Sequence, residues 1–348
     1  MSFKEKALRI IERQNSAETY QLRIPPGSLS LAIDLPRLKA SPSVSVVAEA
    51  ADSGNAVQVC RSILPHLAAG TALHFLILDA PEQMMAGELD QLVWSLQSLG
   101  LALVDMLGSG RDVLVAFRSA TTLDAEEMEV WISRDGAEVS LLHSEANDLL
   151  RRYPILGKCF YEQELLDHVA GRSRGGVFVD IGANMGNHTV FLAGLAQMRG
   201  YAFEPDPQVF ACLERNIVVN GLSDKVMPFA LALGDHEGTA RLVHKECGNS
   251  GATQFAAGPG TTRLQRLDTV LAGIDRLDVV KIDVEGMERE VIEGSSGLLS
   301  RFQPDLYVEV LDDDRLGGIE RILEPFGYTR IRRHCGNPTW EFRAQSRG

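Results

Sequence analysis

The chain has 348 residues, of which 45% are hydrophobic and 23% are charged, and its formal net charge is −13. This length is enough for two domains with separate hydrophobic cores. An acidic chain without a cluster of Lys and Arg lacks the positive surface that phosphate contacts require, which disfavours a nucleic-acid substrate.

The cysteines and the N-terminal residues bear on cellular location. The five cysteines are scattered and show neither a C-x-x-C pair nor Cys/His metal spacing, which favours a reducing environment. The opening MSFKEKALRIIERQ has the pattern of a charged amphipathic helix, and the apolar stretches are too short to span a bilayer. We therefore expect a soluble, cytoplasmic protein with no membrane partner; the oligomeric state is left open.

The first third of the chain alternates strand and helix patterns, as in an α/β domain. Strands are predicted at residues 43–49, 72–79, 101–107 and 112–119, with a helix at 88–100. No Gly-rich turn follows these strands, so residues 1–120 are predicted to be a smaller, degenerate Rossmann-like domain with a substrate or assembly role. The polar stretch 119–127 is the expected linker, and residues 121–348 form the second domain, opening with a hairpin that turns at Asp135 and Gly136.

The most informative segment is VFVDIGANMGNHTV, residues 177–190. Its apolar start predicts a buried strand, the turn from Gly182 to Gly186 follows, and a helix begins near Asn187. A second strand then ends at Glu204 in YAFEPDP. This order is typical of half of a nucleoside-binding α/β unit.

Charge indicates which nucleoside the unit binds. A dinucleotide site needs G-x-G-x-x-G so that the diphosphate can approach backbone amides, but Asn184 stands at the second Gly position and Asp180 opens the loop. A carboxylate repels a diphosphate but attracts a ligand that carries an ammonium and a sulfonium, which favours S-adenosylmethionine over NAD. Glu204 is placed to accept hydrogen bonds from the two ribose hydroxyls.

The rest of the second domain continues the α/β pattern. The predicted elements are helix 207–220, strand 225–232, an insertion containing GNSGATQF, strand 278–283, helix 287–296, strand 305–310, helix 316–326 and a terminal antiparallel pair in YTRIRRH and PTWEFR. Ligands of such sheets bind at the carboxyl ends of the strands, where the strand order reverses. Asp180, Glu204, Asp283 and Glu309 are all predicted to lie at those ends.

Four motifs in order, VDIGANMGNHT, FEPDP, RLDTVL and VVKIDVEGMEREVIEG, resemble the FkbM-type methyltransferases, a branch of the class I S-adenosylmethionine-dependent enzymes. The resemblance runs from about residue 160 to about residue 342. It implies a seven-stranded, doubly wound Rossmann-like sheet, S-adenosylmethionine as methyl donor, and a hydroxyl acceptor on a sugar, glycan or polyketide-type small molecule. The candidate cofactor-binding residues lie in these motifs: Asp180, Gly182, Asn184, Gly186, Asn187, Glu204, Pro205 and Asp206.

Three ionisable residues, Lys281, Asp283 and Glu285, alternate with apolar residues in a strand that should be buried on both faces. Burying such groups is costly unless they are paired or used. We predict that Asp283 and Glu285 are catalytic, one of them orienting or deprotonating the acceptor, with Lys281 as their counter-ion. The alternative is an ion network that only fixes the end of the strand.

Several of these residues have simpler alternatives. Asn184 and Asn187 are candidates to cap the helix, Asp206 to start the next one, and His188 to pack in the first helical turn. Glu162 precedes the first strand of the domain and is a weaker ligand candidate. The basic residues of YTRIRRH fit a solvated edge strand.

Two further alternatives concern function. In a metal-dependent enzyme Asp283 and Glu285 would hold a divalent ion, but no third oxygen ligand is evident from the sequence, so we expect no metal. The rival to a methyltransferase is a non-catalytic nucleoside-binding or assembly protein that retains the fold.

Overall fold

The computed structural model describes residues 19–23, 43–49, 72–78, 93, 97, 101–109, 112–119, 129–134, 136–143, 148, 150, 153–154, 159–246 and 249–345. The chain divides into two compact units. The first comprises residues 1–130 and 145–158, and the second comprises residues 131–144 and 159–348. The predicted division of roles between an N-terminal domain and residues 121–348 stays a prediction.

The described part of the first unit is a five-stranded sheet in the order β1-β2-β3-β5-β4. Its strands are β1 (Thr19–Arg23), β2 (Ser43–Glu49), β3 (Ala72–Leu78), β4 (Leu101–Ser109) and β5 (Asp112–Ser119). The strands β1, β2 and β3 are parallel, whereas β5 runs antiparallel to both β3 and β4. The sheet is therefore mixed rather than fully doubly wound. Residues 93 and 97 are helical, and the rest of the predicted helix 88–100 lies outside the described residues.

The second unit begins with a hairpin, β6 (Glu129–Arg134) and β7 (Ala137–Leu142). The turn contains Gly136 at φ 79°, a left-handed conformation that suits glycine, while Asp135 lies outside the described residues. The expected hairpin is therefore present.

The main sheet of the second unit has seven strands in the order β10-β9-β8-β15-β16-β18-β17. They are β8 (Val177–Ile181), β9 (Arg199–Phe203), β10 (Val226–Phe229), β15 (Val279–Ile282), β16 (Asp305–Glu309), β17 (Tyr328–His334) and β18 (Thr339–Ala344). Only β18 runs against its neighbours. Numbered within this sheet, the order is 3-2-1-4-5-7-6 with an antiparallel seventh strand, which is the class I methyltransferase topology. The predicted fold class is confirmed, and the strand order reverses at β8.

The second unit also carries a smaller sheet of four strands, in the order β11-β14-β12-β13. These are β11 (Ala232–Leu233), β12 (Gly238–Glu246), β13 (Asn249–Ala257) and β14 (Thr262–Gln265). The insertion around GNSGATQF is therefore an antiparallel pair, β12 and β13. The predicted strand 225–232 divides into β10 and β11, and β10 contains Pro228, which lacks an amide hydrogen and is tolerated because β10 is an edge strand.

Helices cover the faces of the main sheet. They are α1 (Gln163–Ser173), α2 (Asn187–Val190), α3 (Pro207–Val219), α4 (Leu267–Val270), α5 (Glu288–Glu293), α6 (Ser296–Phe302) and α7 (Asp313–Leu323). The predicted helix 187–197 is α2 followed by a π-helical turn, Phe191–Leu195, and it ends before Gln197, whose φ is 56°. The predicted helix 287–296 ends early, at Glu293. Gly294 packs against the backbone of Gly234, and the Ser295 hydroxyl donates to the carbonyl of Val291.

Two cores lie on opposite faces of the main sheet. One joins α1, α2, α3 and the hairpin, with Phe160, Phe178 and Tyr307 among its buried side chains. The other joins α4 to α7, with Ile282 and Phe342 among its members. Because the central strands β8 and β15 are covered on both faces, their polar side chains are confined to the carboxyl ends. Within the described residues, no helix is both long and apolar enough to cross a membrane.

Candidate functional site

The Gly-rich turn brings the ends of β8 and β15 together. Gly182 has φ 74°, and a Cβ atom there would lie 1.7 Å from the carbonyl oxygen of Asp283. Only glycine permits this approach. The amides of Gly182 and Ala183 both donate to the carbonyl of Phe203, at 3.1 and 2.9 Å, which ties the turn to the end of β9.

Glu204 lies just after β9 and faces the same turn. Its Oε2 accepts from the amide of Asn184 at 2.9 Å, and its Oε1 accepts from the amide of Asp206 at 2.8 Å. Burial and the neighbouring Asp206 carboxylate raise the pKa of Glu204 to about 7, against the lowering effect of these two amides. Each carboxylate oxygen keeps acceptor capacity for a ligand hydroxyl.

Asn184 stabilises the turn rather than capping α2. It has φ 52°, and its Oδ1 accepts from the amide of Met185 at 2.6 Å and from the Ser250 hydroxyl at 3.0 Å. The N-cap of α2 is Gly186, whose φ is 97°. The contact with Ser250 links the turn to β13.

A cleft of about 610 Å³ opens between this turn, the end of β15 and β13. Its walls carry apolar side chains from several elements, including Phe203, Leu231, Phe255 and Met287. The Thr253 hydroxyl also lines it and is buried without a hydrogen-bond partner among the described residues. A buried, unpaired hydroxyl in a cleft indicates a place for a polar ligand group.

Asp180 does not border this cleft, since its side chain is 0% exposed. Its Oδ2 accepts from the Thr189 hydroxyl at 2.6 Å, and its Oδ1 lies 3.4 Å from the Lys281 Nζ. Lys281 in turn lies 3.2 Å from Asp283 Oδ2 and donates to the Gly182 carbonyl at 2.9 Å. Although burial disfavours the ammonium, Asp283 and Asp180 raise the pKa of Lys281 above its ordinary value. Lys281 is thus a paired internal cation.

Asp283 and Glu285 lie beyond the end of β15, whose last residue is Ile282, and both line the cleft. Glu285 has φ 55°, a left-handed conformation that is uncommon for a residue with a side chain. Burial, followed by repulsion from Asp283 and Glu288, raises the pKa of Glu285 to about 7. A carboxyl group that titrates near neutral pH is suited to proton transfer.

A second cleft, of about 650 Å³, shares Asp283 and Glu285 with the first. Glu309, at the end of β16, also lines it, and one oxygen from each of the three carboxyl groups lies within 4.8 Å of the others. Burial, Asp283 and Glu162 hold the pKa of Glu309 well above its usual range. Glu309 was predicted to lie at this edge of the sheet but not as a third oxygen ligand beside Asp283 and Glu285, where the structure places it. Such a trio could also hold a cation, so metal independence stays a prediction.

Six predicted site residues line the first cleft: Gly182, Asn184, Glu204, Pro205, Asp283 and Glu285. Asp180, Gly186, Asn187 and Asp206 do not border it.

The residues outside the cleft have structural partners. Asp206 is the N-cap of α3, where it accepts from the amides of Gln208 and Val209, and it pairs with Lys245 of β12 at 2.9 Å. Asn187 exchanges two hydrogen bonds with the backbone of Tyr161, at 3.1 and 3.0 Å.

Glu162, the weaker ligand candidate, forms a buried pair with His188. Glu162 has φ 56° and lies 3.3 Å from the Nε2 of His188, and both are nearly inaccessible. Against the cost of burial, His188 lowers the pKa of Glu162. The left-handed Glu162 could not be foreseen from the sequence, because its partner is 26 positions away. Neither residue lines either cleft.

Comparisons with known proteins agree with this geometry. Residues 180–330 match the family profile of the methyltransferase FkbM domain. The chain is 28% identical over 235 residues to the 31-O-demethyl-FK506 methyltransferase FkbM of Streptomyces tacrolimicus, covering 57% of this chain and 87% of that one. It is 27% identical over 165 residues to the 2-O-methyltransferase NoeI of Sinorhizobium fredii, covering 41% of this chain and 66% of that one.

Among solved structures, the methyltransferase FkbM of Methylobacillus flagellatus is similar, with a TM-score of 0.40 and 14% identity, covering 85% of this chain and 73% of that one. The resemblance predicted from the four motifs is confirmed by the family match.

Proposed function

We propose that this chain, whose residues 180–330 form a methyltransferase FkbM domain, is an S-adenosylmethionine-dependent O-methyltransferase that acts on a hydroxyl group of a sugar, glycan or polyketide-type small molecule. The observation that carries the proposal is a single cleft lined by Glu204 at one strand end and by Asp283 and Glu285 at another. The names of two relatives, a 2-O-methyltransferase and a 31-O-demethyl-FK506 methyltransferase, support hydroxyl oxygen as the acceptor atom.

The residues of the first cleft fit this cofactor. Phe203, Leu231 and Phe255 offer apolar surface for the purine, and Glu204 offers acceptors for both ribose hydroxyls. The unpaired hydroxyl of Thr253 offers one further polar contact. When bound, S-adenosylmethionine supplies an electrophilic methyl group on a sulfonium. Asp180 would act indirectly, by holding Lys281.

The carboxylates past β15 have separate tasks. An alkyl hydroxyl is a poor nucleophile until its proton is removed, so a nearby base is required. Glu285 has no Lys or Arg within ion-pair distance among the described residues and titrates near pH 7, which suits a general base. Asp283 is neutralised by Lys281 and would orient the acceptor.

Titration calorimetry with S-adenosylmethionine, S-adenosylhomocysteine and NAD tests the cofactor assignment. We expect heat with the first two and none with NAD. Incubation of acceptor pools with methyl-labelled cofactor, with and without a chelator, tests the reaction, and we expect label on a hydroxyl oxygen in both cases. No heat with S-adenosylmethionine, or label on protein or nucleic-acid nitrogen, would refute the proposal. Activity lost to the chelator and restored by a divalent ion would refute metal independence.

A further inference from the structure

The second cleft is contiguous with the first, because Asp283 and Glu285 line both. An acceptor in the second cleft would therefore lie next to the methyl group of a cofactor bound in the first. The inference below rests on the proposed function and concerns what this second cleft binds. Five elements of its lining matter: Gln254 of β13, Glu285, Glu309, the pair Val310 and Leu311, and Arg315 of α7.

The position of Glu309 is fixed by the sheet. Strands β15 and β16 are parallel neighbours, with Ile282 opposite Val308. Glu309, the last residue of β16, therefore lies level with Asp283, the first residue after β15, at the same edge of the sheet. Among the described residues neither Glu285 nor Glu309 has a Lys or Arg within ion-pair distance, so both carboxyl groups remain available to a ligand.

We propose that Glu309 is an acceptor-binding residue and that Glu285 and Glu309 together hold two adjacent hydroxyls of one acceptor, which makes the acceptor a cyclic 1,2-diol of the sugar type. Glu285 accepts from the hydroxyl to be methylated, and Glu309 hydrogen-bonds to the hydroxyl on the neighbouring carbon.

The spacing supports this assignment. Carboxyl oxygens of Glu285 and Glu309 lie within 4.8 Å of each other. Since an O–H···O hydrogen bond spans about 2.7 Å, two carboxyl oxygens at this separation can be reached together by hydroxyls on adjacent carbons.

The rest of the lining suits a neutral polyol. Arg315 and Gln254 place hydrogen-bond donors in the same cleft, and Arg315 also pairs with Asp312 at 3.1 Å. A polyol both donates and accepts, so it satisfies the carboxyl groups and these donors at once. Val310 and the 64% exposed Leu311 provide the apolar surface on which the C–H face of a sugar ring packs.

The experiment uses the full chain loaded with S-adenosylhomocysteine. Methyl α-D-mannopyranoside and methyl α-D-glucopyranoside are compared with their monodeoxy counterparts by saturation-transfer NMR for binding, and with methyl-labelled S-adenosylmethionine for transfer. We expect the intact diols to bind and react roughly tenfold or more better than analogues that lack the second hydroxyl. Glu309→Gln and Glu309→Ala should lose this preference, while affinity for S-adenosylhomocysteine changes less than about twofold.

Three controls keep the outcome decisive. Glu214→Gln changes an exposed glutamate of α3 and should leave the diol preference intact. Glu309→Asp should restore part of the preference, which a purely structural role would not. Melting temperatures identify any variant that fails to fold.

Equal use of diol and deoxy analogues overturns the inference, as does an unchanged preference in Glu309→Gln. Binding that requires a divalent cation also overturns it, because the carboxyl groups would then hold the cation. If no glycoside binds while S-adenosylhomocysteine does, the inference fails and the proposed cofactor function stands. If S-adenosylhomocysteine itself does not bind, the proposed function fails.

Discussion

Lys281 and Asp283 form an ion pair of 3.2 Å at the point where β15 ends and its loop begins. The same ammonium also lies 3.4 Å from Asp180 and donates to the Gly182 carbonyl, so it joins the ends of two central strands. Asp283 is therefore internally neutralised, whereas Glu285 is not. This difference separates two carboxylates that the sequence treats as equivalent, and it supports our proposal that Glu285 is the general base.

Glu285→Gln and Asp283→Asn test that separation, because each substitution keeps the shape of the side chain and removes its charge. We expect Glu285→Gln to lower kcat about 100-fold or more while affinity for S-adenosylmethionine stays within a few-fold. Asp283→Asn should act mainly on KM for the acceptor, since it removes an orienting group and leaves the base. Steady-state kinetics and titration calorimetry measure both. A larger loss of kcat in Asp283→Asn than in Glu285→Gln would indicate that Asp283 is the base and Glu285 the orienting group.

The pH dependence follows from the raised pKa of Glu285. A general base must be deprotonated, and burial with repulsion from Asp283 and Glu288 raises the pKa of Glu285 to about 7. Activity should thus be low in acid and rise as pH increases through about 7, rather than through the ordinary value of a glutamate. The dependence of kcat/KM on pH measures this rise in activity for the free enzyme. Glu285→Gln should remove the rise of kcat/KM with pH. A rise that persists in this variant would show that another residue is the titrating base.

Lys281→Met tests the internal ion network. Removing one partner of a buried network leaves Asp180 and Asp283 as uncompensated carboxylates, so we expect a loss of about 3–5 kcal/mol in the free energy of unfolding. Lys225→Met is the matched control, because Lys225 bonds to Gln197 in an exposed position. Its effect should stay within about 0.5 kcal/mol. Chemical denaturation of both variants decides the matter, and equal losses would contradict a special role for Lys281.

Sequence patterns predicted the main sheet of the second unit well, because its buried parallel strands are continuous apolar runs. The residues at strand ends, Glu204, Asp283 and Glu309, followed from the rule that ligands bind at carboxyl ends. The sequence pattern could not predict which of these side chains contact one another. Asp180 was expected to face the ligand, but it faces Lys281, because β8 and β15 are adjacent and Asp180 pairs in register with Lys281.

Glu309 as a third carboxylate was missed for a similar reason. It lies 24 residues after Glu285, and only the parallel pairing of β15 with β16 brings the two together. The four-stranded sheet was also not predicted. Its strand β13 has the sequence NSGATQFAA, in which small residues obscure the alternation of apolar and polar side chains that marks a strand.

Glu204→Ala tests the cofactor site. Glu204 is 6% exposed, and its oxygens accept from the amides of Asn184 and Asp206. Its removal should cost a pair of charge-assisted hydrogen bonds, on the order of 2–3 kcal/mol, or roughly 30- to 150-fold in Kd for S-adenosylmethionine. Glu214→Ala on the exposed face of α3 is the control and should bind normally. Unchanged affinity in Glu204→Ala, measured by calorimetry, would remove Glu204 from the site.

The last prediction concerns which part of the chain suffices for cofactor binding. All cofactor motifs follow residue 160, but the hairpin β6–β7 also belongs to the second unit. Its Ile132, Val139 and Leu141 share a core with α3. The side chains of Asn216 in α3 and of Asn220, its C-cap, accept from backbone amides of β7 at 2.7 and 2.8 Å.

A fragment starting at Leu123 should therefore fold and bind S-adenosylmethionine within a few-fold of the full chain. A fragment starting at Cys159 lacks the hairpin, which exposes this apolar surface and removes the β7 partners of the Asn216 and Asn220 side chains. It should be unfolded or several kcal/mol less stable. Circular dichroism melts and calorimetry compare the two fragments. If the longer fragment folds but does not bind the cofactor, then the first unit contributes to the cofactor site. Equal stability of the two fragments would show that the hairpin is dispensable.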